Sequence, residues 1–322
     1  MNLAQAVGLI LGGLVLLAGG GEALVRGAGT IARRSGVTPA VIGLTIAAAG
    51  TSIPELVVSI LAALGGEPEI AVGNVVGSSI FNIVGVVGIA ALVTALPVHR
   101  SAVKYEWPFM FIVSCGVVAL ARDGVISRGE GAGLLLTFVA FAVHMVRLAR
   151  REVARQERVG ASAVTPSRRV GSGDAALGVA IVAAAGGVVL LILGVSALVS
   201  GSVELARLAG ISERVIGLTV VAIGTSMPEV AASVVAALRG RTDVAIANVI
   251  GANIFNLLGV LGITALIRPT PVSTTMLHTD LAWMLATAFV LLPVMRTGMR
   301  VTRLEGGLLL LMYGGYLAVL LR

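Results

Sequence analysis

Two six-residue stretches place acid and hydroxyl groups beside a proline in otherwise apolar sequence: Gly50-Thr51-Ser52-Ile53-Pro54-Glu55 and Gly224-Thr225-Ser226-Met227-Pro228-Glu229. Proline lacks an N–H and its ring clashes with the carbonyl four residues back, so a helix through either stretch must break. The carbonyls of Gly50 and Thr51, and of Gly224 and Thr225, then lose their usual partners. Inside a bilayer such carbonyls persist only where protein, water or an ion satisfies them. The hydroxyls of Thr51, Ser52, Thr225 and Ser226 add neutral oxygens, and Glu55 and Glu229 add the formal charge. An all-oxygen set suits hard cations such as Ca2+ and Na+, with Ca2+ taking about 6–8 oxygens. No cysteine or histidine lies in either stretch, which argues against soft metals. Two carboxylates neutralise one Ca2+ or two Na+. Competition between those loads at one place is a physical basis for exchange.

The chain around these stretches is built for lipid. Of its 322 residues, 57% are hydrophobic and only 12% are charged; mean hydropathy is +1.03. Soluble domains run near 45–50% apolar and about 25% charged, so a water-soluble enzyme is excluded. The 42 glycines sit within apolar runs, where they permit close helix packing. Net charge is +7. The basic residues cluster in short polar gaps without interleaved aromatics, a topogenic pattern that predicts no nucleic-acid contact.

Apolar runs fall at about 3–25, 39–64, 70–97, 107–121, 131–149, 175–203, 213–238, 243–267, 279–295 and 303–321. They are too long for membrane strands and lack dyad alternation, so they predict an all-α polytopic protein of ten transmembrane helices. The N-terminus has no basic region of the kind a signal peptide carries, so the first run reads as a retained helix. The one long hydrophilic stretch, with Arg151, Arg155, Arg158, Arg168 and Arg169, divides the chain. Residues 1–149 form a first five-helix half, 150–173 a basic linker and 174–322 a second half. Loops after odd-numbered helices hold seventeen Lys and Arg residues against six on the other side. This places the linker in the cytoplasm and both termini outside.

Internal repetition is the strongest signal. Residues 43–92 align without a gap on 217–266, with 27 of 50 positions identical. With five helices per half, the second copy enters from the opposite face, so the repeats are inverted, an architecture that binds substrate between the copies at the midplane. Glu55 lies 12 residues before the turn near Glu67, and Asn82 lies 15 residues after it. At 1.5 Å per residue these are roughly 18 and 22 Å, which sets Glu55 and Asn82 at similar depth. Glu229 and Asn256 repeat the spacing. All four therefore converge on helices 2, 3, 7 and 8.

Plainer roles stand beside these. A carboxylate near a helix end snorkels, but Glu55 and Glu229 lie too far from a turn, and a charge that deep costs at least ~2.5–3.5 kcal/mol. Asn82 and Asn256 either coordinate ions or join helices. Ser52, Ser226, Ser78 and Ser79 are equally suited to ligation or to close packing. Gly73-xxx-Gly77 and Ala247-xxx-Gly251 read as packing faces. Glu22 reads as interfacial, beside arginine. His99, His144 and His278 have no metal spacing. Cys115, the single cysteine, reads as a packed small apolar residue, which leaves no intrachain disulfide. Trp107, Trp283, Tyr313 and Tyr316 are candidate interface anchors.

The stretches GTSIPE and GTSMPE, each followed by a G-S/A-x-x-F-N segment, closely resemble the two alpha-repeats of the calcium/cation antiporter superfamily, and in detail its prokaryotic sodium/calcium exchangers. The resemblance extends over both repeats and effectively the whole chain. It implies a core of helices 2, 3, 7 and 8 across which helices 1 and 6 slide. It implies that Glu55 and Glu229 are the calcium carboxylates, with main-chain oxygens from Thr51 and Thr225. Ala48, Ala222, Ser52, Ser226 and Ser78 would line sodium sites, and Asn82 and Asn256 would complete the central site. Two departures bear on this: Ala252 stands where the family often has serine, and Asn256 where some members have aspartate. The latter leans away from potassium dependence.

The expectation is a cell-membrane antiporter that exchanges Ca2+ for Na+ by alternating access, without cofactor or covalent catalysis. If more than two Na+ move per Ca2+, as the family implies, the cycle moves net charge. The alternative on the same scaffold is Ca2+/H+ exchange, because paired buried carboxylates also accept protons. An intramembrane protease is disfavoured by the lack of GxSxG and HExxH. A passive channel is the third option.

Overall fold

The computed structural model describes residues 2–34, 48–160, 174–210, 212–238 and 242–321. Helix α1 is Leu3–Arg34. Helix α2 is described as Ala48–Thr51 and, after a break, Ile53–Gly65. Helices α3 and α4 are Pro68–Val93 and Ala102–Asp123, and α5 is Arg128–Gly160. In the second half α6 is Asp174–Ala209, α7 covers 213–225 and then Met227–Leu238, and α8 covers 242–267. Helix α9 covers 276–296 and α10 is Arg303–Leu320. Among the described residues, eight of these helices are long and apolar enough to cross a membrane. The chain is an almost entirely helical membrane protein.

Residues 150–160, expected in the linker, instead continue α5. The reason is composition: Arg, Glu, Ala and Gln are strong helix formers, so polarity there ends the span without ending the helix. At 1.5 Å per residue the 33 residues of α5 reach about 50 Å, well beyond the roughly 30 Å hydrocarbon layer. Residues 161–173 of the expected linker, and the start of the second apolar run at 39–47, lie outside the described residues.

Helices α3 and α8 are the centre of the molecule: 89% of α3 is buried and 78% of the α8 span, against 22% of the α1 span and 28% of the α6 span. The inverted relation is visible in how the halves interlock. Helix α1 lies antiparallel against α6 along a seam of small residues seven apart, Ala6, Gly13, Gly20 and Gly27 facing Gly201, Gly194, Gly187 and Ala180. A Cβ on Gly13 would sit 2.7 Å from the Gly194 carbonyl, and one on Gly194 would sit 2.9 Å from the Gly13 carbonyl. Only glycine allows backbones this close. The third and fifth helices exchange partners between halves. Gly88 of α3 packs on Gly306 of α10, and Gly262 of α8 packs on Gly131 of α5. Gly73 and Gly77 press α3 onto the start of α7 at Gly217 and Leu218, the packing role expected of that stripe.

Short strands tie the loops pairwise. Strands β1 (Leu96–Pro97) and β4 (Arg300–Val301) pair antiparallel, as do β2 (Val125–Ile126) and β3 (Thr270–Pro271). Each pair joins one loop from each half. Helices α5 and α10 start with the same device. Ser127 and Glu130, like Thr302 and Glu305, exchange side-chain and backbone hydrogen bonds at 2.7–3.3 Å, satisfying N–H groups that the helix itself leaves open.

Two expectations are corrected here. Cys115 is exposed on the outer surface of α4 rather than packed inside. Three of the four expected interface anchors are buried between helices: Trp107, Tyr313 and Tyr316 are at most 8% exposed. The polar ends of Trp107 and Tyr316 find internal partners, whereas Tyr313 is held by ring contacts with Phe81 and Tyr316 and its hydroxyl has no partner among the described residues. Trp107 Nε1 donates to the Ala288 carbonyl at 2.7 Å, and the Tyr316 hydroxyl donates to Asp280 at 3.3 Å. Trp283 packs its ring 5.6 Å from that of Tyr316. Glu22 is exposed and paired with Arg26, in keeping with an interfacial position.

Candidate cation site

Both proline-containing stretches break their helices at serine. Ser52 has φ −90°, ψ 9° and Ser226 has φ −83°, ψ 7°, in the sparsely populated region between helix and strand. Proline follows within the first turn of the new segment, where its missing N–H leaves no gap. Backbone bonding resumes from the Leu56 N–H to the Ser52 carbonyl at 3.2 Å and from the Val230 N–H to the Ser226 carbonyl at 3.1 Å. The breaks turn the hydroxyls and carboxylates of α2 and α7 toward each other.

The two copies meet crosswise. Ser52 Oγ donates to Glu229 Oε1 at 2.9 Å, and Ser226 Oγ donates to Glu55 Oε1 at 3.0 Å. Each serine thus serves the carboxylate of the other repeat. All four side chains are fully buried. The second oxygen of each carboxylate, Oε2, has no hydrogen-bond partner among the described residues. A charged oxygen shut away from water without a partner is strongly unfavourable. Two such oxygens are the kind of donor that a hard cation would satisfy.

Around this pair, Thr225 Oγ1 donates to Asn74 Oδ1 at 3.1 Å and lies 3.5 Å from Ser78 Oγ. The Ala222 carbonyl accepts from Ser78 Oγ at 3.4 Å, Thr225 Oγ1 at 3.3 Å and the Ser226 N–H at 3.1 Å. The Ser226 N–H also reaches the Gly224 carbonyl, so neither of these carbonyls is bare. Thr51 is 1% exposed. Ala48 opens the first described turn of α2. Asn82 donates to Asn253 Oδ1 at 3.4 Å and keeps its own oxygen unpartnered, while neither polar atom of Asn256 has a partner among the described residues. Asn82 opens a π-helical turn, Asn82–Val86, and Asn256 lies in another, Phe255–Val260. Such turns insert one residue and re-aim the side chains beside it.

The structure therefore gathers Glu55, Ser226, Thr225, Ser78 and Ala222 into one hydrogen-bonded cluster and pairs Ser52 with Glu229 separately. Asn82 and Asn256 are fully buried with bare oxygens and share no hydrogen bond with either carboxylate. Among the described residues no group of three or more His, Cys, Asp or Glu comes together. The chemistry is two carboxylates plus neutral oxygens, which fits a hard cation.

Sequence reasoning missed three participants. Asn74 Nδ2 donates to the Glu55 backbone carbonyl and to Ser59 Oγ, both at 3.1 Å, and Asn253 donates to Met110 Sδ at 3.7 Å. Asn74 and Ser59 are identical in both repeats, as Asn248 and Ser233. That identity of polar residues inside apolar helices was the available signal.

Comparison with known proteins agrees with this geometry. The profile of the sodium/calcium exchanger protein family matches residues 5–147 and 179–322. The putative antiporter CaxA of Alkalimonas amylolytica is 38% identical over 274 residues, covering 83% of each chain. The sodium/calcium exchanger MaX1 of Methanosarcina acetivorans is 32% identical over 301 residues, 84% of this chain and 85% of its own. A solved structure of the sodium-calcium exchanger NCX_Mj, soaked with Na+ and Sr2+, superposes with a TM-score of 0.73 at 28% identity and covers 98% of this chain and 99% of its own.

Proposed function

This chain belongs to the sodium/calcium exchanger protein family and exchanges Ca2+ for Na+ across the membrane, and from that premise we propose that both ions use the paired carboxylates of Glu55 and Glu229. The observation that carries this reading is the crossed serine–glutamate pair with two bare, buried Oε2 atoms. Ca2+ brings two positive charges to two carboxylates, and Na+ ions at the same oxygens neutralise them in turn. Neutral oxygens of Thr51, Thr225, Ser52, Ser226, Ser78, Asn82 and Asn256, with the main-chain oxygen at Ala48, complete the ligand sets; the Ala222 carbonyl joins them only on releasing its hydroxyl donors Ser78 and Thr225. Binding of either load shifts the balance between the two facing states only through its differential affinity for them.

The chain works as two inverted halves, 1–149 and 174–322, in the cell membrane, with both termini outside and the segment between the halves cytoplasmic. The excess of basic residues supports this orientation. The strand pairs support the topology, though not which face is cytoplasmic: they join loops assigned to the same side, 3–4 with 9–10 and 4–5 with 8–9. The inward Na+ gradient then drives Ca2+ out. Each net charge moved per cycle couples to voltage at about 2.3 kcal/mol per 100 mV.

The test is 45Ca2+ flux in proteoliposomes with Na+, K+ and H+ gradients imposed separately. A Na+ gradient alone is expected to drive Ca2+ accumulation, and K+ or H+ gradients alone are expected not to. Accumulation driven by a pH gradient in Na+-free medium would assign protons as the counter-ion. Flux persisting without any counter-ion would mean a channel.

A further inference from the structure

The two repeats place identical polar residues in different circumstances. In the first, Asn74 makes three hydrogen bonds. It donates to the Glu55 carbonyl and to Ser59, and accepts from Thr225 of the other repeat. It thereby ties α3 to the second segment of α2 and to the first segment of α7. Its counterpart Asn248, on α8, is 2% exposed, yet neither of its polar atoms has a partner among the described residues. Ser233, the counterpart of Ser59, is 1% exposed and its hydroxyl is likewise unpartnered. A buried primary amide left unsatisfied is unfavourable and calls for an explanation. Sequence does not supply one, since the equivalent carbonyl (Glu229) and hydroxyl (Ser233) are present in the second repeat and the equivalent cross-repeat threonine (Thr51) in the first.

In a protein made of two inverted copies, exchanging the conformations of the copies turns one facing state into the other. We propose that Asn74 and Asn248 are alternating positioning residues. Asn74 holds the broken helix of its repeat in the state seen here, and Asn248 takes up the equivalent bonds to the Glu229 carbonyl, Ser233 and Thr51 in the opposite-facing state as Asn74 releases its own. The total number of satisfied amides stays the same through the cycle, so neither state is favoured by the polar core alone. This proposal rests on the site assigned above, because each asparagine grips the backbone of a glutamate that binds the ion.

The test measures half-saturating Ca2+ at each membrane face for Na+-driven exchange in oriented vesicles, and takes the ratio of the two. Removing a bond set made in one state moves population to the other and shifts apparent affinity by the change in competent fraction. Asn74→Ala is expected to shift the ratio at least about ten-fold, since it removes all three hydrogen bonds. Asn248→Ala shifts it by a similar factor in the opposite direction, and the double variant returns it toward wild type. Ser233→Ala, a smaller change for use if Asn248→Ala does not accumulate, shifts the ratio in the same direction as Asn248→Ala. A purely structural asparagine lowers thermal stability without moving the ratio. Shifts of Asn74→Ala and Asn248→Ala in the same direction, or an unmoved ratio in Asn248→Ala or Ser233→Ala, would overturn the proposal. Those outcomes, with exchange intact, leave the carboxylate site standing, whereas exchange that survives loss of either carboxylate overturns the site itself.

Discussion

Glu55→Gln and Glu229→Gln are each expected to abolish Ca2+ transport while leaving the protein folded. Glutamine keeps the shape and still accepts the serine hydrogen bond at Oε1, so Ser226 or Ser52 retains its partner. What disappears is one negative charge beside a divalent cation in a site closed to water. Unit charges 4 Å apart interact by about 4 kcal/mol at an effective dielectric near 20, and a divalent ion doubles that. Even after the amide oxygen recovers part of the interaction, Ca2+ affinity falls by more than ~100-fold. The check is Na+-driven 45Ca2+ uptake together with thermal unfolding of the purified variants. Near-normal exchange by either variant would show that the ions bind elsewhere.

The second large effect is structural. Asp280, at the start of α9, is fully buried. Arg214, at the start of α7, grips it with two hydrogen bonds, Nε to Oδ2 at 2.7 Å and Nη2 to Oδ1 at 3.2 Å. Tyr316 of α10 adds its hydroxyl at 3.3 Å. Arg214→Leu therefore strands a buried carboxylate, and loss of one partner of such a pair destabilises by about 3–5 kcal/mol. Arg214→Lys loses the two-pronged geometry and falls between. The double change Arg214→Leu with Asp280→Leu removes both charges and recovers most of the stability. Thermal unfolding in detergent distinguishes these outcomes. An Arg214→Leu protein as stable as wild type would show that the pair carries little.

These residues also mark where sequence stops being informative. Arg214 counted in the sequence only as topogenic charge, because nothing in linear spacing pairs it with a residue 66 positions away. Tyr316 was assigned to the membrane surface for the same reason, since amphipathic aromatics favour that place unless a buried partner exists. Glu55 and Glu229 were legible because proline, hydroxyl and acid recur at a fixed offset in both halves. A charge so far from any turn has few explanations other than function. The inversion followed from the odd number of helices per half. The crossing of the serines was not legible: whether Ser52 serves Glu55 or Glu229 depends on how two broken helices pass each other. The π turns at Asn82 and Asn256 were hidden too, because the sequence there keeps an ordinary apolar pattern. The division of labour between Asn74 and Asn248 is invisible in principle, since the two copies are identical at those positions.

The most direct test of the account is to locate the divalent ion. Crystals grown with Sr2+ in place of Ca2+ are expected to show a single strong anomalous peak between α2 and α7, in contact with oxygens from both Glu55 and Glu229 at distances slightly longer than the about 2.3–2.6 Å of Ca2+, and to lose it when Na+ is raised. A peak touching only one of the two carboxylates, or lying away from both, would contradict it.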